Sequence, residues 1–296
     1  MRKLRKRFYI QLVIALFITL VGVPVGAGAL STYKLLYPAC VEDRVTPGNF
    51  GLPFDDVRFP AQAGGTIRAY FMPGSNGATI IIIPTTNNGR GRRLHLANLY
   101  AQHGYSVLTY ESRRCADMGP ISLGYKEVSE VGDALAYLRT RPDVDPNRIG
   151  VTGFSSAGAT AIMATARYPE IRAVIAEGGY GDFWDGVIGV DDDQVLTILY
   201  RWGIRLSYRA ITRVSIDKLS PIDMIDQIAP RPILLIYGSE ERSLPGARRQ
   251  LVTAGDNAEL WVIEGAGHGH YLDIAGDTYI TRVLNFFDNS LRNSPS

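Results

Sequence analysis

The chain has 296 residues, 46% of them hydrophobic and 20% charged. That is the make-up of a globular protein with one large domain, or one domain with an appendage, and it excludes a disordered or low-complexity chain. The net charge of +2 is unevenly placed: Arg2, Lys3, Arg5, Lys6 and Arg7 crowd the first seven residues, and without them the Lys and Arg are outnumbered by the 29 acids. The body has no basic surplus of the kind a nucleic-acid surface needs, so no nucleic-acid partner is expected.

From Phe8 to Ala29 the chain is apolar and uncharged. As a helix this run measures roughly 33 Å, enough to cross a hydrocarbon core. The preceding cations predict a cytoplasmic tail (residues 1–7), an anchor at 8–30 and everything beyond Leu30 outside. A signal peptide cleaved near Ala29 is the competing reading, because Pro24 breaks the run and Ala27-Gly28-Ala29 has the small-x-small pattern. The length of the run favours the anchor. Either reading exports the body, where Cys40 and Cys115 can form a disulfide; sequence alone does not show that they meet.

Residues 31–55 read as a linker punctuated by Pro38, Pro47, Gly48, Gly51 and Pro53. Strands follow at Val57–Phe59 and Thr66–Phe71, joined by a turn at Ala63-Gly64-Gly65. Thr79–Ile83 is a β-branched run suited to a strand buried on both faces of a parallel sheet. Beyond the loop Pro84–Gly91 come a helix at Arg92–His103, a strand at Ser106–Tyr110 and a helix at Val128–Arg139. Next are a strand at Ile149–Thr152, a helix at Ala157–Tyr168 and a strand at Ala173–Ala176. Strands at Ile233–Tyr237 and Leu260–Ile263 flank a helix near Pro245–Thr253, and Thr278–Ser290 is the last helix. The alternation predicts an α/β domain over 56–292 with a mostly parallel central sheet, whose chemistry gathers at the carboxyl ends of its strands. Residues 180–228 break the rhythm and read as a short helical cap, with Trp184, Tyr200, Trp202 and Tyr208 mainly packing it down.

The strongest local signal is Gly153-Phe154-Ser155-Ser156-Ala157-Gly158, between a strand and a helix. A tight strand-to-helix turn needs small residues two before and two after a nucleophile, and Gly153 and Ala157 supply them around Ser155. The turn lifts the hydroxyl off the sheet and aims the Ser156 amide and the helix N-terminus at developing negative charge. Ser156 is a poorer nucleophile candidate because Phe154 stands two before it. A helix-capping serine is the purely structural reading.

A serine hydroxyl needs a base, and the base an acid, in the chain order serine, acid, histidine. Of the four histidines, His95 and His103 precede Ser155. His268 follows the last strand in Gly265-Ala266-Gly267-His268-Gly269-His270, where the base belongs, with His270 as the spare. Gly265-Ala266-Gly267 lacks the third glycine of a dinucleotide fingerprint, and His268-Gly269-His270 lacks the partners of a usual metal site, so no cofactor or metal is expected. The acid belongs after Ile233–Tyr237, where Glu240 and Glu241 are both available.

From about residue 57 to 290 the chain resembles the α/β-hydrolase family, in particular small esterase-like and peptidase-like members with a short cap. The resemblance rests on Ser106–Arg113, Gly124–Val128, Gly153–Gly158, Gly238–Pro245 and Gly265–Gly269. It implies Ser155, Glu241 and His268 as a catalytic triad, since Glu241 lies three after the glycine and four before the proline of the acid loop. It also implies an oxyanion hole from the amides of Ser156 and Thr86, with Thr85 as the alternative to Thr86. The chain departs from the family in four places. Glu241 stands for the usual Asp, Ala157 for glycine, Pro84-Thr85 for a His-Gly pair, and Glu111 for the Asp after the fourth strand. The expected function is hydrolysis of carboxylic esters through an acyl-enzyme on Ser155, with a small ester or acyl substrate. The alternatives are a serine peptidase or amidase of the same fold and a catalytically silent, membrane-tethered binding domain.

Overall fold

In a computed structural model, the structure describes residues 2–41, 44–184 and 194–292. Met1 of the expected tail, residues 42–43 of the expected linker and residues 185–193 of the expected cap lie outside the described residues.

Eight strands form one sheet in the order β1-β2-β4-β3-β5-β6-β7-β8. These are β1 (Asp55–Pro60), β2 (Thr66–Met72), β3 (Thr79–Ile82), β4 (Ser106–Tyr110), β5 (Ile149–Phe154), β6 (Ile171–Glu177), β7 (Ile233–Gly238) and β8 (Ala258–Ile263). β1 and β2 form the opening hairpin, β2 runs antiparallel to β4, and the remaining pairs are parallel. Parallel strands need crossovers, and the sequence supplies helices for them.

Both faces of the sheet are buried along its central strands, and the period of two sorts side chains between them. Ile81, Val151, Ile233 and Leu235 join the face covered by α4 (Glu127–Leu138), α5 (Ser156–Arg167) and α7 (Leu244–Ala254). Ile80, Ile82, Leu234 and Ile236 join the face covered by α3 (Leu94–Gln102) and α9 (Asp277–Phe287). Strand order reverses at β3, which has β4 on one side and β5 on the other. The carboxyl ends there diverge into the crevice where ligands of open α/β sheets bind.

The N-terminal helix is longer than its apolar run. It comprises α1 (Arg2–Phe17), a π-turn at Ile18–Gly22 and α2 (Val23–Leu36), which passes the boundary expected at Leu30. The described part of the cap is α6 (Val195–Thr212) followed by short 3-10 turns. Its floor is a third cluster, in which Leu36, Ile121, Leu123, Phe183, Ile204 and Tyr208 meet. Cys40 and Cys115 form a disulfide, which ties the segment after the anchor to the loop beyond β4.

Candidate active site

At the end of β5 the backbone turns sharply into α5. Ser155 sits at the turn with φ 58° and ψ −126°, a conformation that L-residues rarely adopt. The turn leaves no room beside it: a Cβ on Gly153 would lie 2.2 Å from the Ala157 carbonyl oxygen. The amide of Ser155 donates to the Glu177 carbonyl on β6 (2.7 Å), which fixes the turn against the neighbouring strand. Strain of this kind persists only where its surroundings over-determine it.

The loops after β7 and β8 bring the other two predicted groups to the same place. His268 Nε2 lies 3.1 Å from Ser155 Oγ, and His268 Nδ1 lies 2.8 Å from Glu241 Oε2. The Phe154 ring packs against the imidazole with centroids 4.6 Å apart. His270 is not part of this chain of contacts; its Nδ1 faces Asp273 at 3.3 Å on the exposed side of the loop. His103 pairs with Asp288, and His95 lines a cavity between α3 and the chain after β8.

Glu241 is buried, and burial by itself pushes a carboxyl pKa upward. Four donors surround the carboxylate. His268 and the Gly238 amide (2.7 Å) donate to Glu241, as do the Tyr271 hydroxyl (2.5 Å) and the Ser243 hydroxyl (3.1 Å). Hydrogen bonds from His268, Gly238 and Tyr271, with the histidine's charge, hold the Glu241 carboxyl below the usual glutamate range. Tyr271 escapes the sequence reading because a tyrosine opening a short helix, α8 (Tyr271–Ala275), looks like any buried aromatic. Its place three residues after His268 is the signal that was available.

Ser155, His268, Glu240, Glu241, Arg242 and Tyr180 line a cleft of about 440 Å³. A separate small pocket brings Pro84, Thr85 and Thr86 together with Ser156 and the start of α5. Pro84 has no amide to donate, so Thr85, Thr86 and Ser156 are the candidate donors on that wall. The loop carrying the threonines is tied from two sides. Val41 donates to Asn87 (2.8 Å) and accepts from Gly89 (2.9 Å), and Ser112 donates to Asn88 (2.9 Å). Asn88 Nδ2 also donates to Thr85 Oγ1. Deeper in the same pocket Glu130 lies 3.0 Å from Arg113. There burial, reinforced by Glu127, prevails over the arginine and pushes the Glu130 carboxyl up to about 8.

Residues 68–262 match the family described as X-Pro dipeptidyl-peptidase (S15 family). The chain belongs to that family, within the α/β hydrolases. It is similar to the alpha/beta hydrolase domain-containing protein WAV2 of Arabidopsis thaliana, with 24% identity over 94% of this chain and 90% of the relative. Among solved structures, the Pyrococcus furiosus esterase Pf2001 superposes with a TM-score of 0.69 at 17% identity, covering 86% of this chain and 100% of the esterase. The Pyrococcus horikoshii acylaminoacyl peptidase gives 0.63 at 17%, covering 83% of this chain and 43% of the peptidase. Family and fold together support a hydrolytic enzyme.

Proposed function

We propose that this S15-family chain is a serine hydrolase that cleaves carboxylic esters through an acyl-enzyme on Ser155, with its body held outside the cytoplasm by the N-terminal helix. The observation that carries the reading is the hydrogen-bonded series Glu241–His268–Ser155 ending on a strained strand-to-helix turn. Ser155 Oγ attacks the ester carbonyl carbon while its proton passes to His268 Nε2. Glu241, kept ionised by its donors, holds the Nδ1 proton and stabilises the imidazolium that forms. The amides of Ser156 and Thr86 receive the oxyanion. The carbonyl re-forms, the alkoxide leaves with the proton from His268, and water, deprotonated by the same imidazole, releases the acid.

A fluorophosphonate probe tests the nucleophile. Labelling disappears in Ser155→Ala and persists in Ser156→Ala; labelling that survives Ser155→Ala rejects the assignment.

Amide cleavage is the second reading, favoured by the family's description and by Glu240, an exposed carboxylate in the cleft suited to a peptide's ammonium group. Comparison of p-nitrophenyl acyl esters with aminoacyl and X-Pro anilides separates the two. Ester turnover that far exceeds anilide turnover supports the first, and the reverse supports the second.

On localisation, one helix among the described residues, Lys6–Leu36, is long and apolar enough to span a membrane. Retention of that helix, rather than cleavage near Ala29, is favoured by the packing of Val25 and Gly28, which precede that point, against α6.

A further inference from the structure

The apolar run and the body overlap along the chain. Residues 8 to 22 as a helix measure about 22 Å, short of a hydrocarbon core of roughly 30 Å. A span that begins at Phe8 therefore continues through residues 23–27. Those residues are not free of the body, because α2 packs closely along α6. A Cβ on Gly28 would lie 2.1 Å from the Tyr200 carbonyl oxygen, and one on Gly203 would lie 2.1 Å from the Val25 carbonyl oxygen. Only glycines on both sides permit this backbone approach, the small-residue packing that membrane helices use.

The two helices run in the same direction. At their far ends the Leu36 carbonyl accepts from the Ile121 amide, and the next residue, Ser122, offers its carbonyl to the Tyr208 hydroxyl. The N-terminal half of α6 thus lies back along α2 toward the π-turn at Ile18–Gly22, which it touches.

From that end, α6 presents an apolar stripe to the outside. Val195, Ile198, Trp202 and Leu206 recur at helical spacing and are 69%, 43%, 52% and 58% exposed. The helix carries Arg201, Arg205 and Arg209 and no acid. An apolar stripe with tryptophan and arginines is the composition of a helix lying in a lipid headgroup layer.

We infer that α6 is a second membrane contact: the Val195–Leu206 stripe is immersed in the bilayer interface beside the anchor, so that the cap is seated on the membrane. This rests on the N-terminal helix spanning the bilayer. The occupant is lipid because α6 packs backbone to backbone against the part of α2 that the length of a span places in hydrocarbon, and because the helix's own charged side chains are all arginines, Arg205 being paired with Asp217.

The full chain, reconstituted in phosphatidylcholine vesicles with acyl chains brominated near the headgroup, tests it by tryptophan quenching. Flotation with the vesicles after carbonate washing reads the anchor alone. The chain with Trp184→Phe and Trp261→Phe retains Trp202 as its single tryptophan. Its emission is expected to be mostly lost to brominated lipid and insensitive to aqueous acrylamide. A chain retaining only Trp261, on β8, is expected to show no loss to the lipid. Because Trp184 packs in the cap, Trp202→Phe in the otherwise native chain gives a second reading: the lipid-quenched part of the emission disappears. A chain that floats while Trp202 is quenched by acrylamide and not by lipid overturns the inference and leaves the anchor standing. Shielding of Trp202 from both quenchers, marking a protein partner on the stripe, also overturns it. A chain that does not float overturns both.

Discussion

Ser155, His268 and Glu241 stand at the carboxyl ends of parallel strands, each held by several independent contacts, whereas Thr85 and Thr86 lie on a loop held mainly by its neighbours. On the first wall a buried carboxylate gathers four donors and stays ionised. On the second, Glu130 has an arginine but also an acidic neighbour, and burial prevails. The lesson is that burial alone does not set the charge of a carboxylate; the donors aimed at it and the charges beside it do. One wall is a rigid product of the sheet. The other depends on segment 39–41, the Cys40–Cys115 disulfide and the strand-end loop at Ser112.

Changes to the first wall have the largest expected effect. Ser155→Ala and Glu241→Gln each lower kcat by about 10⁴-fold or more while circular dichroism stays native, because the three groups act as a unit. On the second wall the backbone matters more than the side chain. Thr86→Pro removes an amide and lowers kcat by about 10²-fold with little change in KM, whereas Thr86→Ala stays near wild type. Equal losses in both would place the donor elsewhere. Tyr271→Phe withdraws one charge-assisted hydrogen bond from Glu241, and a loss of about tenfold in kcat is expected. The acid limb of its pH–rate profile moves upward, which a mere packing defect would not produce.

Smaller effects follow on stability. Replacing Cys40 and Cys115 together by serine costs about 2–4 kcal/mol in denaturant unfolding, with a fall in kcat smaller than that of Tyr271→Phe. A fall as large as that of Thr86→Pro would mean that the staple, rather than the Val41 and Ser112 contacts, holds the loop. The two carboxylates give opposite pH slopes. Glu241, with its pKa depressed, stabilises the fold above the ordinary glutamate range and loses that contribution as pH falls through its lowered pKa. The stability gap between wild type and Glu241→Gln therefore closes on acidification. Glu130, with its pKa raised, binds its proton more tightly in the folded state, so stability falls as pH rises from 4.5 to about 8, and Glu130→Gln flattens that slope. Unfolding of the variants across pH checks both signs.

Much of the first wall was legible in the sequence. β-branched runs such as Thr79–Ile83 have few other uses, and a nucleophile turn imposes small residues at positions that can be counted from Ser155. His268 stood out because so few histidines compete with it; its loop's place after the right strand left Glu240 and Glu241 both open, and only the family resemblance, counted from Gly238 and Pro245, singled out Glu241. Tyr271 offered only its place three residues after His268, since a buried tyrosine is ordinary core until its hydroxyl is seen to point at a carboxylate. The pairing of Cys40 with Cys115 and the meeting of Gly28 with Gly203 join distant parts of the chain, and no local pattern marks them. The helix boundary at Leu36 was hidden for a related reason: Ser31–Leu36 lacks the apolarity of the span and is held as helix by packing on the cap.

The central claim concerns what Ser155 does. The most direct measurement is mass spectrometry of the wild-type protein quenched in acid during turnover of an activated ester. The account predicts an acyl adduct on the peptide containing Ser155, with fragmentation placing it on that residue, and no adduct in Ser155→Ala. An adduct on Ser156, or ester turnover in Ser155→Ala at the wild-type rate, would contradict it.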